Sequence, residues 1–216
     1  MSWLRRKSME SFRHFNPDWD VTLHGGVAGL DSLREIGHAS DRARYSALVH
    51  HGGLYFDTDI IFTSPIPDTW LERDNAMISR DGGCLGVACL GARRGSLFFM
   101  RVLDMCSWRV SSRVLLDYQA FGLKLFTRPK AMDIRALAAD LGESMLEIDP
   151  SALFPYGWTD IELLWSPVKT DASDLKIGVH WFGGDMLSMV MEPEFSDQSM
   201  PNCLVASAVE KSMAAR

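Results

Sequence analysis

Two carboxylates one residue apart, Asp57 and Asp59, stand inside an otherwise apolar run, Gly52-Gly53-Leu54-Tyr55-Phe56-Asp57-Thr58-Asp59-Ile60-Ile61-Phe62. On a regular strand both would point to one face. Two like charges in half-buried surroundings are unfavourable unless a cation offsets them. Oxygen donors favour a hard ion, Mg2+ or Mn2+, which also takes phosphate oxygens as ligands. An Asx-rich turn closing a strand accounts for the same pair on composition alone.

Upstream, Asp41 and Arg44 are spaced i,i+3, which places them on one helix face. A surface ion pair is one reading of that spacing. The other is a cavity lining, in which the aspartate accepts from sugar hydroxyls and the arginine donates to hydroxyls or phosphate.

The elements around these residues follow from periodicity. Met9, Phe12 and Phe15 predict a short helix over 8–15 with Ser8 as N-cap, broken at Asn16-Pro17-Asp18. Trp19 to Leu23 alternates and predicts a strand ending at Gly25-Gly26. Ser40 is expected to open the next helix, with Ala43, Ala47 and Leu48 as its buried stripe and Gly52-Gly53 as its stop. Leu54-Tyr55-Phe56 predicts a strand running into Asp57, with Ile60-Ile61-Phe62 beyond it. A strand at 84–91 follows, then a helix from Ser96 to Trp108 with Leu97, Met100, Leu103 and Met105 turned partly inward. Further helices are expected at 112–126 and 131–142, and a late strand at Val179-His180-Trp181-Phe182. Beyond residue 192 periodicity fades, so 1–192 reads as one domain and 193–216 as a flexible tail. Alternating strands and helices argue an α/β domain with a largely parallel or mixed sheet, in which ligands sit at strand carboxyl ends.

Composition narrows the function. The chain has 216 residues, enough for one domain with a real core, and a net charge of −6 that draws neither nucleic acid nor anionic lipid. The four cysteines, Cys84, Cys89, Cys106 and Cys203, form no Cys-x-x-Cys pair, so a zinc ribbon is unsupported and reduced cytosolic thiols are expected. Met1-Ser2-Trp3-Leu4-Arg5-Arg6-Lys7 has no apolar run after its basic residues, and the chain has no membrane-spanning stretch. A cytoplasmic protein, at most peripheral to a membrane, is expected.

The block Ala39-Ser40-Asp41-Arg42-Ala43-Arg44-Tyr45, followed by Gly52-Gly53-Leu54-Tyr55-Phe56-Asp57-Thr58-Asp59, resembles the sugar-binding region of the DXD-containing glycosyltransferases. That family includes initiating α-1,6-mannosyltransferase-like enzymes and the large clostridial glucosylating toxins. Its pattern, Ala-Ser-Asp-x-x-Arg and then Gly-Gly-x-Tyr-x-Asp-x-Asp, is met here at every fixed position. Ser8 to Trp19, Asp149 to Pro155 and Ile177 to Trp181 are similar to later and earlier family segments.

The resemblance implies a GT-A-like, Rossmann-type mixed sheet flanked by helices. It implies transfer of a hexose from a UDP- or GDP-linked nucleoside diphosphate sugar to a saccharide or glycolipid hydroxyl, with retention and with Mn2+ or Mg2+. Asp57 and Asp59 would touch the ribose and hold the metal. Asp41 and Arg44 would hold the donor sugar, and Tyr55 would lie against the sugar or diphosphate. His180 would approach the metal and diphosphate as ligand or donor, although a core histidine between aromatic neighbours is the alternative. No catalytic nucleophile is assigned.

Three departures stand out. The family's opening, nucleotide-binding strand has no counterpart, the Gly-Pro turn survives only as Phe121-Gly122, and Asp185 and Ser188 follow His180 where a hydroxyl residue is usual. The missing strand makes a non-catalytic or truncated sugar-nucleotide-binding remnant the alternative function. A dehalogenase-type phosphatase also places Asp-x-Asp after an apolar strand, but Ile60-Ile61 and the region of Asp185 fit it poorly. His50-His51, at a helix end, read as structural. Trp108, Trp158 and Trp165 offer an acceptor platform, with core packing expected for at least two.

Overall fold

A computed structural model describes residues 1–24, 33–80, 84–112, 117–127, 133–167 and 172–214. In chain order the helices and strands are α1 (Trp3–Phe15), α2 (Leu33–His51), β1 (Gly53–Phe56), β2 (Ile60–Phe62), β3 (Asn75–Arg80) and β4 (Cys84–Ala92). There follow α3 (Leu97–Ser111), α4 (Leu123–Thr127), α5 (Ile134–Asp140), β5 (Met145–Ile148), α6 (Glu162–Trp165), β6 (Gly178–His180), α7 (Met186–Met191) and α8 (Leu204–Ala214). They divide between two units. One gathers Met1–Thr22, Asp57–Pro67 and Pro150–Arg216, and the other Leu23–Phe56 and Asp68–Asp149.

The second unit holds a four-stranded sheet in the order β1-β4-β3-β5, with β1, β4 and β3 antiparallel and β5 parallel to β3. It is the mixed sheet flanked by helices that was expected, consistent with a GT-A-like fold. A register shift between Met77 and Ile78 bends β3 against β4. Tyr45, Leu48, Met77, Leu90, Phe99 and Phe121 belong to the core of this unit.

Helix α2 begins at Leu33, so Ser40 lies inside it and is not its cap. Its buried face is Asp41, Arg44, Tyr45 and Leu48, while Ala43 is exposed and Ala47 half-buried. The helix is rotated from the expected stripe because two of its four inward residues are charged, which hydrophobic periodicity cannot register. It stops as expected. Gly52 and Gly53 take φ of +70° and +89°, and the Gly52 N–H donates to the Leu48 carbonyl at 2.9 Å.

Helix α3 has the expected N-cap, Ser96, whose hydroxyl accepts from the Phe99 N–H. Its buried residues are Phe98, Phe99, Val102 and Cys106, whereas Leu97 and Met100 are 45% and 38% exposed. The two phenylalanines carry the larger apolar area and turn the helix toward themselves. At the same end Glu143, buried, accepts from the Leu97 N–H (2.7 Å), the Phe98 N–H (3.0 Å) and the Asn75 amide (2.8 Å). Neither this carboxylate cap nor β3 and β5 was read from the sequence. The helix expected at 112–126 appears only as α4, with 113–116 outside the described residues. The one at 131–142 is the shorter α5, capped by Asp133.

In the first unit α1 starts earlier than expected, capped by Ser2, and Ser8 is buried within it. The hydroxyl of Ser11, also buried, accepts from the Phe62 N–H at 3.0 Å. Residues 17–24 form no strand: the Trp19 N–H donates back to the Asn16 carbonyl in a turn, and Gly25-Gly26 lie outside the described residues. Strand β2 pairs antiparallel with β6, Ile60 opposite His180 and Phe62 opposite Gly178. The expected late strand thus ends at His180, before Trp181 and Phe182.

The tail expected to be flexible contains α8, with Leu204, Val205, Ala206, Ala208, Val209 and Ser212 buried. Six inward positions in eleven residues leave little polar contrast, and that flattens the helical signal.

Candidate metal and donor site

Strand β2 begins at Ile60, and the two residues before it, Thr58 and Asp59, form a turn. The Asp57 and Asp59 carboxylates are therefore brought together by a turn and not by strand alternation. The pairing of Ile60 with His180 sets His180 beside Asp59, and the Trp181 N–H extends the ladder by donating to the Asp59 carbonyl at 3.0 Å. On its other side β6 is tied by the His180 N–H to the Leu153 carbonyl at 2.8 Å. The histidine backbone is thus held from both sides.

Asp57, Asp59 and His180 each offer a ligand atom, and these atoms lie within 4.8 Å of one another. His180 Nε2 is 3.0 Å from Asp59 Oδ1, an ion-pair distance, yet neither imidazole nitrogen makes an aligned hydrogen bond among the described residues. The ring is buried and flanked edge-on by Phe154 (centroids 5.2 Å) and Phe182 (4.5 Å). Asp59 Oδ1 is the close charged neighbour of the ring, and a metal ion shared with Asp57 would join all three donors. Two donors sharing an octahedral Mg2+ at about 2.1 Å lie about 3 Å apart, which matches the Asp59–His180 separation. The donor set fits a hard divalent ion with one borderline nitrogen.

Burial alone would push the Asp59 carboxyl up. The adjacent His180, the Gly183 N–H donating to Oδ2 at 2.7 Å and the positive field of Arg5 outweigh it and hold Asp59 well below the usual carboxylate range. The Gly183 bond depends on a backbone reversal at Phe182, whose φ of 52° lies in the left-handed region. A phenylalanine held there is strained. Its ring stacks on Phe154 at 5.6 Å, which anchors it.

Arg5 was not read from the sequence. It reaches from the first turn of α1 to donate from Nη1 to Thr58 Oγ1 at 2.9 Å and from Nε to Glu192 Oε1 at 3.1 Å. The only sequence trace of this contact is Gly183 itself. A Cβ there would lie 2.5 Å from Arg5 Nη2 and 3.2 Å from Asp59 Oδ2.

The second unit gathers Asp41, Arg44 and Tyr55. Arg44 Nη2 pairs with Asp41 Oδ1 at 3.3 Å and donates to Ser40 Oγ at 3.2 Å, while Nη1 donates to the Val87 carbonyl at 2.7 Å. The guanidinium lies over the Tyr55 ring, 4.8 Å from its centroid. Both charged side chains are buried, so the surface ion pair is not what forms. Gly122, the surviving half of the Gly-Pro turn, comes close enough that a Cβ would meet Asp41 Oδ2 at 3.2 Å. The structure therefore groups the six expected site residues as two sets of three, one in each unit.

Of the remaining candidates, His50, Asp185, Ser188 and Trp165 make structural contacts. His50 Nδ1 lies 2.7 Å from the Ser46 carbonyl in the last turn of α2. Asp185 caps α7, and Ser188 is buried, donating to the Trp181 carbonyl at 2.6 Å and accepting from Trp165 Nε1 at 3.2 Å. Trp165 is core, Trp108 is 64% exposed, and the Trp158 side chain lies outside the described residues.

In the first unit the turn presents two carboxylates to a buried imidazole, a donor set that could hold a divalent cation. Residues 30–77 match the family described as glycosyltransferase sugar-binding region containing DXD motif. Asp41, Arg44, Tyr55, Asp57 and Asp59 lie inside the matched span, and Arg5 and His180 lie outside it. No curated protein and no solved structure matches the chain. Among the described residues no helix is long and apolar enough to cross a membrane.

Proposed function

We propose that the protein is a metal-dependent glycosyltransferase that moves a hexose from a UDP- or GDP-linked donor to a saccharide or glycolipid hydroxyl, with retention. The observation that carries this reading is the convergence of the Asp57, Asp59 and His180 donor atoms within 4.8 Å, two of them on the matched segment. In this reading those three residues hold Mn2+ or Mg2+. When bound, the ion supplies Lewis-acid charge for the donor diphosphate. Asp57 and Asp59 also face the ribose, and Asp41 and Arg44 accept from and donate to the sugar hydroxyls, with Tyr55 fixing the guanidinium plane. The bond between the anomeric carbon and the diphosphate oxygen breaks, the bond to the acceptor oxygen forms, and the proton of the acceptor hydroxyl passes to the departing diphosphate. The buried thiols Cys89, Cys106 and Cys203 suit a reducing, cytoplasmic setting.

The test is calorimetric titration with UDP and GDP, with and without Mn2+, beside an Asp57→Ala/Asp59→Ala double variant. Manganese-dependent binding that the variant loses supports the site and names the base. A folded wild-type chain that binds neither nucleotide refutes it. Binding without hydrolysis or transfer of any nucleotide sugar supports instead the non-catalytic, sugar-nucleotide-binding form.

A further inference from the structure

We infer that Arg5 binds the donor diphosphate and takes up the charge that grows on it as the sugar departs. This assignment rests on reading Asp57, Asp59 and His180 as the metal site. The Arg5 guanidinium is anchored at two points: Nη1 donates to Thr58 Oγ1 at 2.9 Å, the middle residue of Asp-Thr-Asp, and Nε donates to Glu192 Oε1 at 3.1 Å. Glu192 is itself held by the Ser2 hydroxyl at the N-cap of α1. These bonds leave Nη2 with no acceptor among the described residues, directed along the face of Gly183. The Gly183 N–H in turn donates to Asp59 Oδ2 at 2.7 Å, so guanidinium and metal-site carboxylate share one neighbour. The side chain is 32% exposed, which keeps it accessible to a ligand.

Charge balance says what such a cation is for. Asp57 and Asp59 offset a divalent ion charge for charge, so the centre brings little surplus positive charge to an incoming diphosphate. Breaking the bond to the sugar adds a further negative charge to that diphosphate, and a preorganised guanidinium beside it stabilises the transition state more than the ground state. A fixed fork of N–H donors suits phosphate oxygens better than a lysine does. A purely structural arginine would be expected to spend its fork on Glu192; here Nε alone does so, and Nη1 is turned to the metal-site turn.

The test compares the full-length wild type with Arg5→Gln and Arg5→Lys. Three probes are titrated: Mn2+ alone, inorganic pyrophosphate with Mn2+, and UDP or GDP with Mn2+. The expected result is that Arg5→Gln keeps or slightly raises Mn2+ affinity, because a repelling cation has gone. Its affinity for pyrophosphate and nucleoside diphosphate falls by about tenfold or more. Arg5→Lys falls between, and it reads the same split should the glutamine variant unfold. Parallel loss of Mn2+ and diphosphate would reduce Arg5 to a prop for the Asp-Thr-Asp turn and overturn the inference. Unchanged diphosphate affinity would overturn it equally. A wild type that binds no Mn2+ or no diphosphate sinks the metal-site reading and this inference with it, an outcome read without any Arg5 variant.

Discussion

His180 Nε2 and Asp59 Oδ1 lie 3.0 Å apart because Ile60 and His180 are opposite each other in the β2–β6 ladder. The backbone pairing sets the distance, and the flanking Phe154 and Phe182 rings set the imidazole plane. With Asp57 offering a third donor within 4.8 Å of both, the pair forms a set of ligand atoms that a cation could share.

Replacing His180 with alanine is expected to weaken Mn2+ binding by about tenfold or more, since the nitrogen donor is lost while both carboxylates stay. Competition of Mn2+ against a chelating dye reads this directly. Unchanged affinity would leave His180 as a core residue.

Metal should also register as stability. A ligand that binds only the folded chain, at 100 times its dissociation constant, adds about 2.7 kcal/mol. Wild type is expected to melt higher in Mn2+ than in chelator, and the Asp57→Ala/Asp59→Ala variant to show no such gap. Differential scanning calorimetry measures both.

Gly183→Ala probes how closely the metal turn and Arg5 are packed. The added methyl meets the far end of the Arg5 side chain at 2.5 Å, which can move, and Asp59 Oδ2 at 3.2 Å, which has less room. Overpacking of this kind costs about 1 kcal/mol or somewhat more. Urea denaturation should find that small loss, whereas manganese-dependent nucleotide binding should fall disproportionately.

In the second unit Asp41→Ala leaves the Arg44 guanidinium without its buried carboxylate, at a cost of about 3 kcal/mol. If the pair also holds sugar, Arg44→Lys should weaken binding of a nucleotide sugar while leaving the plain nucleotide unaffected. Equal affinities for the two ligands before and after substitution would confine the pair to the core.

Acid sensitivity should come from the carboxylates that support the sheet and α3. Burial would raise Glu143, but the Asn75 amide, the Leu97 and Phe98 N–H groups and the Ser96 hydroxyl hold it below the usual range. The Ser144 N–H and hydroxyl do the same for Asp74. Between their folded values and unfolded values of about 4, the unfolded chain binds more protons. Their contribution is therefore complete above that range and is lost as pH falls through the folded values. Glu143→Gln should be less stable at pH 7 and show a shallower decline from pH 5 to 3 in chemical denaturation.

The resemblance to a DXD-containing sugar-binding region could be read on Asp41, Arg44, Tyr55, Asp57 and Asp59 because those residues are close in sequence. The ends of α2 and α3 were legible for the same reason: glycine pairs and serine caps act within a few residues. Tertiary structure decided the rest. Which face of α2 turns inward depends on a buried ion pair whose cost is offset by Val87, Ser40 and Tyr55 around it. The helix after residue 203 depends on packing that its weak amphipathicity does not announce. The resemblance already set His180 near the metal, and the β2–β6 pairing fixes its distance from Asp59. Arg5 reaches Thr58 across 53 residues, a contact that carries no local periodicity, so only the folded chain could place it beside the carboxylates.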